Sequence, residues 1–200
     1  MWFKLYFKIL TMKKLFYIPL LICNLIFLGC EKNDDLPEKD PGNYQTPLPA
    51  ATTTGANIFA CYVDGKAYIA KKNAITAYNQ YYQGRYGISI NGKWSDSDYI
   101  STISLESNTI EEVQEGMTYQ LGTVSSSSLE LDYYAGSIFF RNFGDSGTWV
   151  TTNEIQKGEL KINKHALFDR ILSATFWFDI KQPDGKIIEI RDGLFDVTYN

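Results

Sequence analysis

The feature that most constrains the fold is a two-residue alternation of apolar side chains, bounded by turn dipeptides. In the clearest run, Ala174, Phe176, Phe178 and Ile180 occupy every second position. Successive side chains of a β-strand point to opposite faces, so such a run predicts a strand with one buried face. Shorter runs of the same kind recur from Asn57 to the end of the chain.

These runs predict an all-β fold, an antiparallel β-sandwich or barrel of about eleven strands joined by hairpins. Parallel strands would need crossover helices, and the sequence has no long amphipathic helix to supply them. One or two helical turns are expected at Thr109–Gly116, where Gly116 would end any longer helix. The alternation fits a sandwich and a closed barrel equally well, so the sequence does not distinguish these two architectures.

Turn dipeptides set the expected strand boundaries. Asp64-Gly65 joins Asn57–Val63 to Lys66–Ala70, because Asp-Gly tolerates the positive φ angles of a type I′ turn. Further along, we expect a break between strands at Asn163–Asp169 and a turn at Asp192-Gly193. The last strand should then begin after Gly193.

The N-terminal stretch has a different composition. Lys13-Lys14 precede the apolar run Leu15–Leu28, and Gly29-Cys30 and an acidic cluster follow it. A basic start and a small residue before a cleavage point are typical of a secretory signal, and the apolar run is short for a membrane span. The position of Cys30 resembles a bacterial lipoprotein signal, in which the sulfur of this cysteine receives a diacylglyceryl group.

We therefore predict a lipoprotein signal peptide at 1–29, a lipidated Cys30 with a Pro-rich disordered tether at 30–56, and one all-β domain at 57–200. Four of the six prolines fall in the tether, which has few large aliphatic residues for a core. An uncleaved N-terminal anchor helix is the alternative to the signal peptide. Translation starting at Met12 is the alternative to Met1.

Charge and cysteine content exclude some function classes. Residues 1–29 hold four Lys and no acid, so the 19 basic and 23 acidic residues become 15 and 23, and the net charge changes from −4 to −8. Such an acidic chain has no broad basic surface for phosphates, so we expect no nucleic-acid partner. Beyond Cys30 only Cys61 remains, which excludes an internal disulfide framework, and we expect Cys61 to be buried.

No pattern of catalytic or metal-binding residues stands out, and we expect no enzymatic activity, cofactor or metal. Gly144–Gly147 resembles a serine-protease nucleophile loop, but His165, the one histidine, follows Ser146 and should lie in a break between strands. One histidine also falls short of a zinc site. Ser95–Asp98 lacks most ligands of a calcium loop, and Glu111, Glu112 and Glu115 should point in different directions.

The segment Tyr78–Tyr86 is the best candidate for a binding surface. It contains four tyrosines, three amide side chains and one arginine around an expected turn at Gly84. Alternation keeps Tyr81 and Tyr82 off a common face, so at least one should be exposed. Exposed rings beside amides fit a glycan or peptide ligand, although tyrosines also simply favour strands. The candidate ligand-binding residues are Tyr78, Tyr81, Tyr82, Arg85, Tyr86 and Trp94.

The chain resembles an uncharacterised family of Bacteroidota surface lipoproteins whose domain has no assigned function. The resemblance rests on the lipidated cysteine, on 54–67 (TGANIFACYVDGKA), and on 170–178 (RILSATFWF) with 192–197 (DGLFDV). The acids after Cys30 resemble the tag that sends such lipoproteins to the cell surface. The resemblance implies an outer-membrane location through the lipid and no catalytic residues; the periplasmic face stays open beside the external one.

The leading hypothesis is a lipid-anchored cell-envelope protein with a non-enzymatic β-domain that binds a ligand or partner, a glycan being one candidate. The expected partners are the membrane, through the lipid on Cys30, and an unidentified ligand or envelope protein. A structural or accessory subunit of an outer-membrane surface assembly is the first alternative. A carboxylate-based hydrolase is the second and requires two acids facing each other across a cleft.

Overall fold

A computed structural model of the chain describes residues 46–94, 100–122, 132–141 and 147–200. The chain divides into one unit at Met1–Pro41, which lies outside the described residues, and a second at Gly42–Asn200. The predicted signal peptide, Cys30 and the tether up to residue 45 therefore lie outside the described part. The same holds for Ser95–Asp98 and for Ser146.

Eleven strands and one short 3-10 helix, Lys72–Ala74, account for the regular structure of the described residues. The strands are β1 (Ile58–Val63), β2 (Lys66–Ile69), β3 (Ile75–Tyr82), β4 (Arg85–Lys93), β5 (Ile100–Asn108), β6 (Thr118–Leu121), β7 (Tyr133–Phe140), β8 (Thr148–Thr151), β9 (Gly158–Ala166), β10 (Ile171–Lys181) and β11 (Ile187–Thr198).

The strands form two antiparallel sheets. The six-stranded sheet has the order β2-β1-β11-β10-β9-β6, and the five-stranded sheet has the order β3-β4-β5-β7-β8. The predicted all-β class is confirmed. Neither sheet closes on itself, so of the two architectures left open by the sequence the structure is consistent with the sandwich.

The core lies between the sheets and is rich in aromatic rings. Gly92 of the five-stranded sheet faces Phe59 of the six-stranded sheet, and Gly136 faces Phe178. A Cβ at Gly92 would lie 2.4 Å from the Phe59 ring, and one at Gly136 would lie 2.7 Å from the Phe178 ring. These glycines let large rings reach the opposite sheet, so any side chain there would force the sheets apart.

Two strand boundaries predicted from the sequence are wrong. β9 continues through His165, which pairs with Leu172 of β10, so the break predicted at Asn163–Asp169 is confined to the turn at 167–170. The end of β9 escaped recognition because its side chains contact polar groups instead of the core. The Asp192-Gly193 turn is also wrong, because β11 runs through both residues.

At that point β11 contains a bulge. Asp192 has a φ of 50°, and the register with β10 shifts between Phe176 and Phe178. A Cβ at Gly193 would lie 2.4 Å from the Phe176 ring. The Asp-Gly pair thus bends the strand and makes room for a core ring, where the sequence suggested a chain reversal.

Other sequence expectations have clear outcomes. At the Asp64-Gly65 turn the φ angles are 48° and 77°, as a type I′ turn requires. Cys61 is fully buried as predicted, and burial raises the pKa of its thiol far above the ordinary value. Thr109–Gly116 contains no helical turn.

Candidate functional site

Alternation along β3 divides its tyrosines between the two faces of the five-stranded sheet. Ala77 is buried in the core, as are Ile88 and Ile90 of the neighbouring β4. Tyr78 and Tyr82, out of phase with Ala77, therefore lie on the outer face of the sheet. They are 48% and 67% exposed.

Strand register brings polar side chains of β4, β5 and β7 onto the same outer face. Tyr78 pairs with Ser89 and Tyr82 with Arg85, and Ser89 pairs in turn with Glu106. Asn108 pairs with Tyr133 of β7. We call this surface the tyrosine face; its members are Tyr78, Gln80, Tyr82, Arg85, Gly87, Ser89, Glu106, Asn108 and Tyr133.

Arg85 is held in place at one end of the tyrosine face. Its Nε donates to Asn108 Oδ1 at 2.9 Å, and its Nη2 donates to the Asn108 carbonyl at 3.0 Å. Nη2 also pairs with Asp132 Oδ1 at 2.5 Å. These bonds fix the planar guanidinium before any ligand arrives, so little side-chain entropy would be lost on binding.

Glu106 lies on the tyrosine face beside Ser89, at the end away from Arg85, and is half-buried. Burial raises the pKa of its carboxyl above the ordinary value. No described side chain donates a hydrogen bond to it or forms an ion pair with it. Tyr133 lies nearby, and its pKa is raised first by burial and then by the charge of Glu106. A half-buried acceptor without donors is a position where ligand hydroxyl or amide groups would be stabilised.

Gly87 lies between Gln80 and Asn108 and leaves the face without a side chain at that point. A Cβ added at Gly87 would have one neighbouring atom within 4 Å, the Ser107 carbonyl oxygen, at 3.3 Å. The result is a low position flanked by the exposed ring of Tyr82 and by the fixed Arg85. Exposed rings around polar groups suit a ligand with a flat apolar side and several hydroxyls.

The remaining sequence candidates lie elsewhere. Tyr81 and Tyr86 are paired on the opposite side of the same strands, with ring centroids 4.8 Å apart, and Tyr81 is 64% exposed. Trp94 follows the far end of β4, where its ring lies 5.0 Å from the buried Tyr68. Of the six candidates, the structure brings Tyr78, Tyr82 and Arg85 together on one face.

Sequence reasoning missed Glu106, Asn108, Gly87, Ser89 and Tyr133 as members of the face. The sequence did contain a signal for Glu106 and Asn108. Both alternate with the buried Leu105 along β5, so their side chains lie on the opposite face of the strand. Their proximity to the tyrosines depends on the pairing of β4 with β5 and of β5 with β7. No local pattern specifies that pairing.

The His165 side chain lies within a polar cluster and is 5% exposed. Its Nδ1 donates to the Val113 carbonyl at 2.8 Å, because a carbonyl oxygen can only accept. Its Nε2 lies 3.2 Å from Asn79 Nδ2, 3.4 Å from the Tyr199 hydroxyl and 3.8 Å from Glu112 Oε1. These bonds join β9, β3 and the chain end, which is a structural role.

The glutamates near this cluster have partners of their own. Glu112 accepts a hydrogen bond from Asn79 at 3.3 Å, and Glu115 pairs with Lys164 at 3.3 Å. The His165 amide also donates to Glu115. Across the described ranges, no group of three or more His, Cys, Asp or Glu side chains is arranged to hold a metal ion.

Within the ranges that the structure covers, no helix combines the length and apolar character needed to cross a membrane. No family model, no curated protein and no solved structure matches the chain.

Proposed function

We propose that this chain is a lipid-anchored envelope protein whose β-sandwich binds a glycan through the tyrosine face and catalyses no reaction on it. The observation that carries the proposal is the position of Tyr78 and Tyr82. Both rings are exposed on one sheet face, beside a fixed arginine and a carboxylate without donors.

The chemistry of the face fits a sugar ring. The apolar side of a pyranose stacks on an exposed tyrosine ring, and different hydroxyl groups of an oligosaccharide can donate to Glu106 and accept from Arg85. Hydrogen bonds to charged partners are about twice as strong as neutral ones. A half-buried carboxylate and a fixed guanidinium would therefore orient an oligosaccharide as well as hold it.

An oligosaccharide array with the full chain in detergent tests this function. Tyr78→Ala combined with Tyr82→Ala should weaken binding roughly tenfold or more and reduce the signals accordingly. Tyr81→Ala is the matched control, because this tyrosine belongs to the same strand and is also exposed, but lies on the other side of the sheet. Signals that the double substitution leaves unchanged, or that Tyr81→Ala reduces equally, would refute the tyrosine face as the site.

The anchor is a separate part of the proposal and has its own test. Cys30 follows a stretch with the composition of a lipoprotein signal, and two or three acyl chains hold a protein on a membrane durably. Metabolic labelling with a radioactive fatty acid should label the protein, and Cys30→Ala should remove the label. An unlabelled protein that fractionates away from membranes would contradict the anchor.

A second candidate function is that of a subunit in a surface assembly, and the turn between β9 and β10 favours it. Leu167 is 56% exposed there, and Phe168 is fully exposed. Exposed apolar side chains of this size commonly mark protein contacts. If Leu167→Ser with Phe168→Ser abolishes crosslinking to envelope proteins in native membranes while array signals persist, the turn binds a partner; unchanged crosslinking would refute this candidate.

A further inference from the structure

A groove lies beside the tyrosine face, beyond the Arg85–Asp132 ion pair. The proposed glycan site does not include it. The volume of the groove is about 380 Å³, which falls within the ordinary range for small-ligand sites. The connection between β5 and β6 forms one wall of the groove. The other wall consists of Tyr119 in β6 and of Asp132 and Tyr134 around the start of β7. We call it the β5–β6 groove.

Two stacked rings and two exposed apolar side chains form the apolar part of this groove. Tyr119 and Tyr134 have ring centroids 4.3 Å apart, and the Tyr119 hydroxyl accepts a hydrogen bond from the Gln114 amide at 2.8 Å. Burial raises the pKa of Tyr134 to about 12, so this ring stays uncharged at neutral pH. Ile110 and Met117 are 63% and 51% exposed.

The charged part of the groove is entirely acidic. Glu111, Glu112 and Asp132 line it, and none of its lining residues is basic. Asp132 is paired with Arg85, and Glu112 accepts from Asn79. Glu111 is exposed, and within the described ranges no cation or hydrogen-bond donor contacts its carboxylate. The groove therefore keeps a net negative charge beside two stacked aromatic rings.

We propose that the β5–β6 groove binds an organic cation, a guanidinium or ammonium group carried on an apolar or aromatic body. The cation would pair with the free Glu111 carboxylate, and the body would contact Ile110, Met117 and the tyrosine pair. Tyrosine faces also attract cations directly. An anionic ligand would be repelled by the Glu111 and Glu112 carboxylates, and a neutral sugar would leave Glu111 without a charged partner. This site does not depend on glycan binding at the tyrosine face.

Benzamidine and benzamide form a matched pair of probes, because they have nearly the same shape and differ in charge. Titration of the full chain in detergent, followed by ligand-observed NMR, should show saturable benzamidine binding that weakens as salt is added. Benzamide should bind at least about threefold more weakly, the size of one partly exposed charge pair. Equal binding of the two, or no saturable benzamidine binding, would overturn the proposal.

Three substitutions locate the cation. Glu111→Gln should weaken benzamidine about three- to fivefold, whereas Glu154→Gln, at an exposed acid in the β8–β9 connection, should leave the affinity unchanged. Ile110→Ser should weaken benzamidine and benzamide by the same factor, because it removes apolar contact. If Glu154→Gln matched Glu111→Gln, the cation would be bound by the overall charge of the protein and not by the groove, which would also refute the proposal.

The source of the cation can be distinguished with peptides. Acetyl-Phe-Arg-amide presents a guanidinium on a peptide, and its citrulline analogue replaces that group with a neutral urea. A preference for the arginine peptide over benzamidine would identify a basic peptide as the ligand class. A preference for benzamidine would identify a free organic amine or amidine. Neither result would depend on the outcome of the oligosaccharide array.

Discussion

Each sheet has a carboxylate on its outer face, and the two carboxylates differ in the hydrogen bonds that they accept. On the six-stranded sheet, Asp196 is fully buried under the segment that precedes β1. It accepts hydrogen bonds from Thr52 Oγ1 at 2.6 Å and from the amides of Thr54, Gly55 and Ala56 at 2.9, 2.9 and 3.1 Å. On the five-stranded sheet, Glu106 is half-buried and receives no hydrogen bond from any described side chain.

The pKa values of the two carboxyls shift in opposite directions. Burial raises the pKa of Asp196, but its four hydrogen bonds together outweigh burial and hold the pKa below the ordinary value. Burial alone raises the pKa of Glu106. The donors that stabilise a carboxylate are thus built into one face and missing from the other.

This difference separates a structural carboxylate from one available to a ligand. The chain closes the outer face around Asp196 with its own backbone, so a ligand has no access there. The tyrosine face keeps exposed rings next to Glu106, and its missing donors are what a polyhydroxylated ligand would supply. The stability of the fold should therefore depend on Asp196, and glycan binding should depend on the tyrosine face.

Removing the Asp196 carboxylate should cause the largest loss of stability. Asp196→Ala leaves three backbone amides and the Thr52 hydroxyl without their acceptor, and hydrogen bonds to charged groups contribute roughly 1.5–3 kcal/mol each. Because water can reach some of these donors after the change, we expect a loss of about 3 kcal/mol in the free energy of unfolding. Urea denaturation of the full chain in a denaturation-compatible detergent measures it.

Asp169→Ala, at an exposed acid in the β9–β10 turn, is the control and should change the unfolding free energy by less than about 0.5 kcal/mol. Oligosaccharide affinity of folded Asp196→Ala should equal that of the unchanged protein. A loss of affinity without a loss of stability would reverse the roles assigned to the two faces.

Substitutions on the tyrosine face should produce the complementary result. Tyr78→Ala with Tyr82→Ala should weaken the best array oligosaccharide by roughly tenfold or more, since each stacked ring contributes on the order of 1 kcal/mol. The unfolding free energy should change by less than about 1 kcal/mol, because both rings are exposed. Calorimetric titration and urea denaturation of the same sample measure the two quantities.

Local sequence signals predicted some of this contrast and not the rest. Alternation and Asp-Gly chemistry gave the strand class and the Asp64-Gly65 turn, and alternation showed that Tyr81 and Tyr82 must face apart. Asp196 carries no local signal, because its donors lie more than a hundred residues earlier in the chain. Glu106 likewise joins Tyr78 only through the pairing of three strands.

The same limit explains the misread Asp192-Gly193. An Asp-Gly pair tolerates positive φ wherever it occurs, so it fits a bulge as well as a reversal. The pair forms a bulge and not a turn when strand pairing continues beyond it. Here β11 pairs with β10 and β1 both before and after Asp192-Gly193. That pairing depends on core packing around Phe176, which no dipeptide encodes.

Acid titration should show the two carboxylates acting with opposite signs. Because the pKa of Asp196 is lowered on folding, its stabilisation is present above the unfolded-state pKa and is lost as pH falls through the folded value. Because the pKa of Glu106 is raised, its charge destabilises the fold at neutral pH, and protonation relieves this as pH falls through the folded value. The unfolding free energy between pH 7 and about pH 3 measures both.

On acidification, Asp196→Asn should lose less stability than the unchanged protein, and Glu106→Gln should lose more, because it lacks the relief that Glu106 supplies. Glu106→Gln should also be slightly more stable at neutral pH. Parallel pH profiles for all three proteins would mean that neither carboxylate differs from its unfolded state, and the contrast between the faces would fail.

The smallest expected effect comes from filling the low position on the tyrosine face. Gly87→Ala adds a methyl group whose nearest neighbour is the Ser107 carbonyl oxygen at 3.3 Å, and residue 87 is not among the glycines of positive φ. The unfolding free energy should therefore change by less than about 0.5 kcal/mol. A sugar ring that contacts the sheet there would be lifted away from Glu106, so its affinity should fall about two- to fourfold. Gly185→Ala cannot serve as the control because its φ is 93°, whereas Gly122→Ala can, because residue 122 lies off the tyrosine face, has open space around an added Cβ and is not among the glycines of positive φ. If Gly87→Ala binds as tightly as the unchanged protein while Tyr78→Ala does not, the ligand stacks on the rings without reaching the sheet, and Glu106 loses its assigned role.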